Sequence, residues 1–170
     1  MIELIGGGAR SGKSRYALNR ASEFSGQKIF VATATASDPD GEMAERIQRH
    51  KSERGPEWKL IEEPLYLSRV IRECDEDGII LIDCLTLYLS NWLCGSEASA
   101  WDHEKSAFLQ ALKKSSNPVL LVTNEVGMGV VPMGELSRRF VDESGWLHQD
   151  IAAVADRVTM VTFGLPQSLK

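Results

Sequence analysis

The stretch Ile2-Glu3-Leu4-Ile5-Gly6-Gly7-Gly8-Ala9-Arg10-Ser11-Gly12-Lys13-Ser14 decides the fold. Ile2–Ile5 is a short apolar run that reads as a buried strand, and a helical pattern follows over Lys13–Phe24, ended near Gly26. Between them, residues 7–14 satisfy G-x-x-x-x-G-K-[ST], the pattern of a phosphate-binding loop. Each residue type has a task. The glycines let the chain wrap with its N–H groups inward, so that the backbone itself binds phosphate oxygens. The following helix adds its positive end. Lys13 supplies a mobile charge for the β- and γ-phosphates, and the Ser14 hydroxyl can ligate Mg2+. The fixed positions match by accident in about one chain in two hundred of this size, and here they also fall between a strand and a helix. Gly7, Gly8, Ala9, Arg10, Ser11, Gly12, Lys13 and Ser14 are therefore expected to hold a nucleoside triphosphate.

Outward from that loop, apolar runs alternate with helical stretches. Strands are expected at Ile29–Thr33, Trp58–Ile61, Ile79–Cys84, Val119–Thr123 and Val158–Phe163. Helices are expected at Gly41–Glu53, Leu65–Cys74, Trp101–Lys114 and Glu135–Ala155, the last broken near Gly145. Continuous apolar runs mark strands covered on both faces, and their alternation with helices implies a parallel sheet. The expected fold class is α/β: a three-layer domain of the P-loop NTPase type with a mainly parallel central sheet, spanning residues 1–170 as one unit. Ligands in such sheets sit at the carboxyl ends of the strands.

Composition narrows the function. The 170 residues carry 19 basic and 24 acidic side chains, a formal charge of −5, with 43% hydrophobic residues. A general binder of nucleic-acid backbone needs many cations, and this chain is acidic. No apolar run approaches the length of a membrane span, and the first residues lack the order of a signal peptide. Cys74, Cys84 and Cys94 are an odd number without a C-x-x-C pair, which suits reduced thiols in the cytoplasm.

Two further segments carry chemistry. In Ile79-Ile80-Leu81-Ile82-Asp83, four aliphatics deliver one carboxylate to a strand end, where Asp83 can join Ser14 around Mg2+ or cap a helix from Leu85 onward. In the helical stretch Arg46–Arg54, the residues Arg46, His50 and Arg54 fall at i, i+4 spacing with Arg49 beside them. One reading is a solvated surface in which Glu42, Glu45 and Glu53 pair with these cations. The other is a phosphate-facing surface with a nucleophile: a neutral imidazole can attack phosphorus, and Arg46 and Arg49 would stabilise the charge that develops. His103 and His148 lack such company and read as surface or packing residues.

With these segments assembled, the chain resembles the bifunctional adenosylcobinamide kinase / adenosylcobinamide-phosphate guanylyltransferase family of cobalamin biosynthesis. The resemblance rests on Gly7–Ser14, Val31-Ala32-Thr33-Ala34, Arg46-Ile47 with His50-Lys51 and Arg54, and Asp83-Cys84-Leu85-Thr86-Leu87. It continues through Asn124-Glu125-Val126-Gly127-Met128-Gly129-Val130-Val131-Pro132, then Arg139-Phe140 and Gln149. Two features depart from the family pattern: His148 stands where asparagine is common, and Ser37–Gly41 differs in length.

The resemblance implies two reactions. Adenosylcobinamide is phosphorylated by ATP or GTP, and GMP then passes from GTP, through a guanylylated histidine that falls on His50, to adenosylcobinamide phosphate. It also implies GTP contacts at Thr33, Ala34 and Thr35, at His50, Lys51, Ser52, Glu53 and Arg54, and at Glu62 and Asp83, with a homo-oligomer, a trimer, as the assembly. A carboxylate at position 62 can accept from both N1–H and the 2-amino group of guanine; otherwise Glu62 or Glu63 is an exposed loop acid. Asn124 and Glu125 are expected to shape the corrinoid or phosphate side, and Gly127 and Gly129 a turn with positive φ or close approach. Two other functions remain on sequence grounds. One is a small-metabolite kinase without nucleotidyl transfer. The other is a GTP-gated interaction module, against which the missing N-K-x-D motif argues.

Overall fold

The computed structural model describes residues 1–34, 55, 57–74, 77–95 and 97–170. The expected helix Gly41–Glu53 lies outside them. Seven strands form one sheet: β1 (Ile2–Gly7), β2 (Gln27–Ala32), β3 (Trp58–Glu62), β4 (Gly78–Asp83), β5 (Val119–Asn124), β6 (Arg157–Thr162) and β7 (Leu165–Ser168). Their order is β3-β2-β4-β5-β1-β6-β7, with every neighbouring pair parallel except the terminal β6–β7 hairpin. The helices are α1 (Lys13–Ala21), α2 (Leu67–Arg72), α3 (Leu85–Cys94), α4 (Trp101–Lys114) and α5 (Glu135–Val154).

The apolar strands are buried on both faces, as their composition requires. Ile80, Ile82, Val119 and Leu121 pack with α3, α4 and α5 on one side of the sheet. Ile79, Leu81, Leu120 and Val122 pack with Ala17 and Ala21 of α1 on the other. Ile79–Ile82 are at most 1% exposed, and each such side chain contributes roughly 1.5–3 kcal/mol relative to exposure. On the α3–α4 side, Tyr88 stacks edge-on against Trp101 and tilts against Phe108. Trp92 and Trp101, each 1% exposed, are therefore core residues, with their indole N–H groups donating to Leu65 O and to Glu143.

Three local readings change. Helix α3 starts at Leu85, where the sequence offered a helix only as the alternative reading of Asp83. Its buried residues Leu85, Tyr88, Leu89, Trp92 and Leu93 follow helical spacing, but the run abuts a strand of the same apolar character. Helix α5 passes through Gly145 without a break, because Ser144, Leu147 and Ile151 are buried on either side of it. That burial exceeds the roughly 1 kcal/mol that a mid-helix glycine costs. The last strand is followed by a further one: Phe163 and Gly164 both have positive φ, 54° and 79°, the turn that folds β7 back against β6.

Candidate active site

The carboxyl ends of the parallel strands bring the glycine-rich loop, Asp83 and Glu62 to one edge. After β1 the chain turns through Arg10 (φ 55°) and Gly12 (φ 96°) into α1. Gly12 occupies the N-cap of α1 and no side chain caps it, so the helix presents its first N–H groups to a ligand. Lys13 is only 8% exposed, and its Nζ donates to Gly8 O at 3.0 Å, spanning the loop's mouth. Ser11 Oγ is buried, with no hydrogen-bond partner among the described residues. Orphaned buried hydroxyls are uncommon, and this one lies inside the turn of the G-x-x-x-x-G-K-S motif.

Two contacts explain the loop's glycines. A Cβ at Gly7 would stand 2.5 Å from both Ser11 Oγ and the Val161 carbonyl oxygen. A Cβ at Gly12 would lie 3.2 Å from Gly164 Cα, beside the bond from Gly164 N–H to Ser11 O at 2.8 Å. The β6–β7 turn thus braces the phosphate loop from behind, a relation that local sequence does not reveal.

Ser14 Oγ donates to Asp83 Oδ2 at 3.0 Å. A hydroxyl and a carboxylate side by side are hard oxygen donors suited to Mg2+. The donor set fits the ion expected from the sequence.

Across the sheet, Ala32 pairs with both Asp83 and Glu62. The two carboxylate residues therefore end their strands at one level, about 10 Å apart across two strand spacings. Glu62, the expected guanine contact, is exposed, and its neighbour Glu63 is buried. Glu63 accepts from Leu65 N–H, Tyr66 N–H and Arg69 Nη2 at 2.7–3.0 Å, holding the start of α2. Burial would raise its pKa, but the two backbone donors and Arg69 outweigh burial and hold the carboxyl below its ordinary value.

Thr33 differs from expectation. It is fully buried: its hydroxyl donates to Cys84 O and accepts from Cys84 N–H, both at 2.8 Å. Its N–H donates to Asp83 O and its carbonyl accepts from Asn91. Thr33 ties strand ends together through its hydroxyl, N–H and carbonyl, and half-buried Ala34 follows it at the edge. Thr35, Arg46, Arg49, His50, Lys51, Ser52, Glu53 and Arg54 lie outside the described residues, as does Ser37–Gly41.

Asn124 and Glu125 also serve the scaffold. Thr86 Oγ1 accepts from both the backbone N–H and Nδ2 of Asn124 at 3.1 Å, and Glu125 N–H donates to Gly7 O at 3.0 Å. Neither Gly127 nor Gly129 has positive φ. Gly129 has open space around it, whereas a Cβ at Gly127 would approach Glu125 Oε1 to 3.1 Å. His148 is a packing residue, its Nε2 2.7 Å from Thr123 Oγ1. Burial lowers its pKa and Glu125 partly opposes this. No role was assigned to Thr86 or Asn91 from the sequence, although polar residues in so apolar a stretch were the available signal.

The fold and this edge define an α/β domain of the P-loop NTPase type. Solved structures share the fold at low identity. An ATPase from a bacterial type III secretion system aligns with a TM-score of 0.55 at 10% identity, over 98% of this chain and 56% of that one. A Pyrococcus horikoshii protein aligns with a TM-score of 0.54 at 9% identity, over 99% and 85%.

Sequence comparison is more specific. Residues 3–169 match the family described as cobinamide kinase / cobinamide phosphate guanyltransferase. The bifunctional adenosylcobalamin biosynthesis protein CobP of Pseudomonas aeruginosa is 48% identical, over 100% of this chain and 98% of that protein. The similarly described CobU proteins of Salmonella typhimurium and Escherichia coli are 36% and 34% identical over the full length of both partners. The chain belongs to the cobinamide kinase / cobinamide phosphate guanyltransferase family.

Proposed function

We propose that this chain catalyses both steps its family is described by, on one phosphate cradle. In the first, the aminopropanol hydroxyl of adenosylcobinamide attacks the γ-phosphorus of ATP or GTP. The bond to the β-phosphate oxygen breaks, the nucleoside diphosphate leaves, and the hydroxyl proton is released. In the second, a His50 ring nitrogen attacks the α-phosphorus of GTP and pyrophosphate leaves. The adenosylcobinamide phosphate oxygen then displaces the histidine, giving adenosyl-GDP-cobinamide.

The observation that carries this reading is the Ser14–Asp83 contact beside the uncapped start of α1. Together they supply oxygen donors for Mg2+ and N–H donors for phosphate at one place. Bound there, Mg2+ would neutralise phosphate charge as it develops. Lys13 orients the phosphates, and Glu62 at the same edge reads guanine through N1–H and the 2-amino group. Arg46 and Arg49 belong to the same proposal as stabilisers of the charge around His50, as do Thr35 and residues 51–54 as nucleotide contacts.

The assembly is proposed to be a homo-oligomer, a trimer. Its support is the exposed apolar run after β5: Met128, Val130, Val131, Met133 and Leu136 are 52–98% exposed, and clustered exposed apolar residues are a mark of interaction surfaces. Among the described residues no helix is long and apolar enough to cross a membrane, and the cytoplasm is the proposed compartment.

Incubation with Mg2+ and GTP labelled at the α-phosphate tests the covalent step. Label that survives denaturation, is acid-labile and vanishes in His50→Asn, with phosphorylation of adenosylcobinamide at least partly retained, is the expected result. Guanylyl transfer in the absence of any protein-bound label would overturn the intermediate.

A further inference from the structure

We propose that Asn91 is the positioning residue of the guanine-reading edge. The inference rests on the reading of Glu62 given above and extends it to a residue that touches neither nucleotide nor metal.

One nitrogen does the work. Asn91 Nδ2 donates to Thr33 O at 2.8 Å and to Pro64 O at 3.1 Å, using both its hydrogens. The two acceptors are carbonyls, so only the amide nitrogen can face them. Thr33 follows the end of β2 and Pro64 follows Glu62 and Glu63 at the end of β3. Asn91 lies on α3, whose first residue, Leu85, comes two residues after Asp83. A single side chain therefore joins three points: the helix issuing from the metal-facing carboxylate, the exit of β2, and the segment carrying Glu62.

Neighbouring bonds give that clamp something firm to act on. Trp92 Nε1 donates to Leu65 O at 2.8 Å, one residue beyond the carbonyl Asn91 holds. Glu63 N–H donates to Ala32 O at 3.0 Å, and the Glu63 carboxylate holds Leu65 and Tyr66. The backbone on both sides of Pro64 is thus fixed. Release of Asn91 removes the bonds to both Thr33 O and Pro64 O, leaving two part-buried carbonyls without that donor. A carboxylate accepting two directed hydrogen bonds from one base edge tolerates little displacement, so loss of Asn91 weakens recognition of the base while the phosphate cradle stays in place.

The test compares GTP with ITP, which lacks the 2-amino group, as guanylyl-type donor to adenosylcobinamide phosphate. kcat/KM is measured for each in the wild type, Glu62→Gln, Asn91→Ala and Asn91→Asp. Both donors see the same folded fraction, so partial unfolding cancels from the ratio. The wild type is expected to favour GTP about tenfold or more, the worth of a hydrogen bond to a charged acceptor. In both Asn91 variants the preference narrows to about threefold or less, through a raised KM for GTP with the KM for ITP little changed. A wild-type ratio in both Asn91 variants, alongside a collapsed ratio in Glu62→Gln, overturns the role of Asn91 alone. A wild-type ratio in Glu62→Gln overturns the guanine reading and this inference with it.

Discussion

Replacing Gly7 and Gly8 separately by alanine distinguishes a glycine needed for space from one that merely belongs to a motif. At Gly7 the new Cβ would stand 2.5 Å from Ser11 Oγ and from Val161 O. Ser11 can rotate, but Val161 O is backbone of β6, so the phosphate loop itself must move away. Overpacking of this kind typically costs about 2 kcal/mol, and in a chain of this length that lowers Tm by about 6 °C. At Gly8 nothing lies within 4 Å of the Cβ position and φ is not in the left-handed region. Differential scanning fluorimetry with and without Mg2+–GTP reads both stability and binding. At one hundred times Kd the nucleotide stabilises the wild type by about 2.7 kcal/mol, and a tenfold weaker Kd leaves about 1.4. Gly7→Ala should therefore lower the ligand-free Tm by about 6 °C and halve the nucleotide-induced rise. Gly8→Ala should change each by no more than about 1 °C. Equal behaviour of the two variants, or a wild-type Gly7→Ala, would refute the account of why the loop carries its glycines.

Lys13→Ala should reduce phosphoryl and guanylyl transfer alike, each by about a hundredfold or more, when the two are measured separately; near-normal retention of either contradicts a shared cradle. His148→Asn tests a titration. Burial holds the folded-state pKa of His148 below its ordinary 6.5, so the unfolded chain binds that proton more readily. Stability is then lost as pH falls from 6.5 towards the folded-state value. The wild-type Tm should fall more steeply below pH 6.5 than that of His148→Asn, which removes the titrating group. Parallel curves would show that His148 does not contribute.

The phosphate-loop motif was legible because it is local: eight consecutive residues carry the glycine turn, the lysine and the hydroxyl. The strand ending in Asp83 was legible for a similar reason, since an aliphatic run buried on both faces must surface at its end. Thr33 shows where such reasoning stops. The family resemblance implied a nucleotide contact for it, and in the fold its hydroxyl meets Cys84, 51 residues away. The resemblance pointed to Glu62, and only the structure shows what its neighbour Glu63 does: it is the partner of the onset of α2.

By itself, then, the amino-acid order determined the α/β class, the cradle at residues 7–14 and the carboxylate at Asp83, because periodicity and backbone chemistry act over a few residues. Only the tertiary structure decided that the β6–β7 turn braces the loop through Gly164 and Ser11, that Asn91 joins the exits of β2 and β3, and that the break foreseen at Gly145 does not occur. Those outcomes depend on which groups are carried together from distant parts of the chain. Hydrogen-bond satisfaction and burial at such meetings outweigh the preferences that any one segment expresses alone.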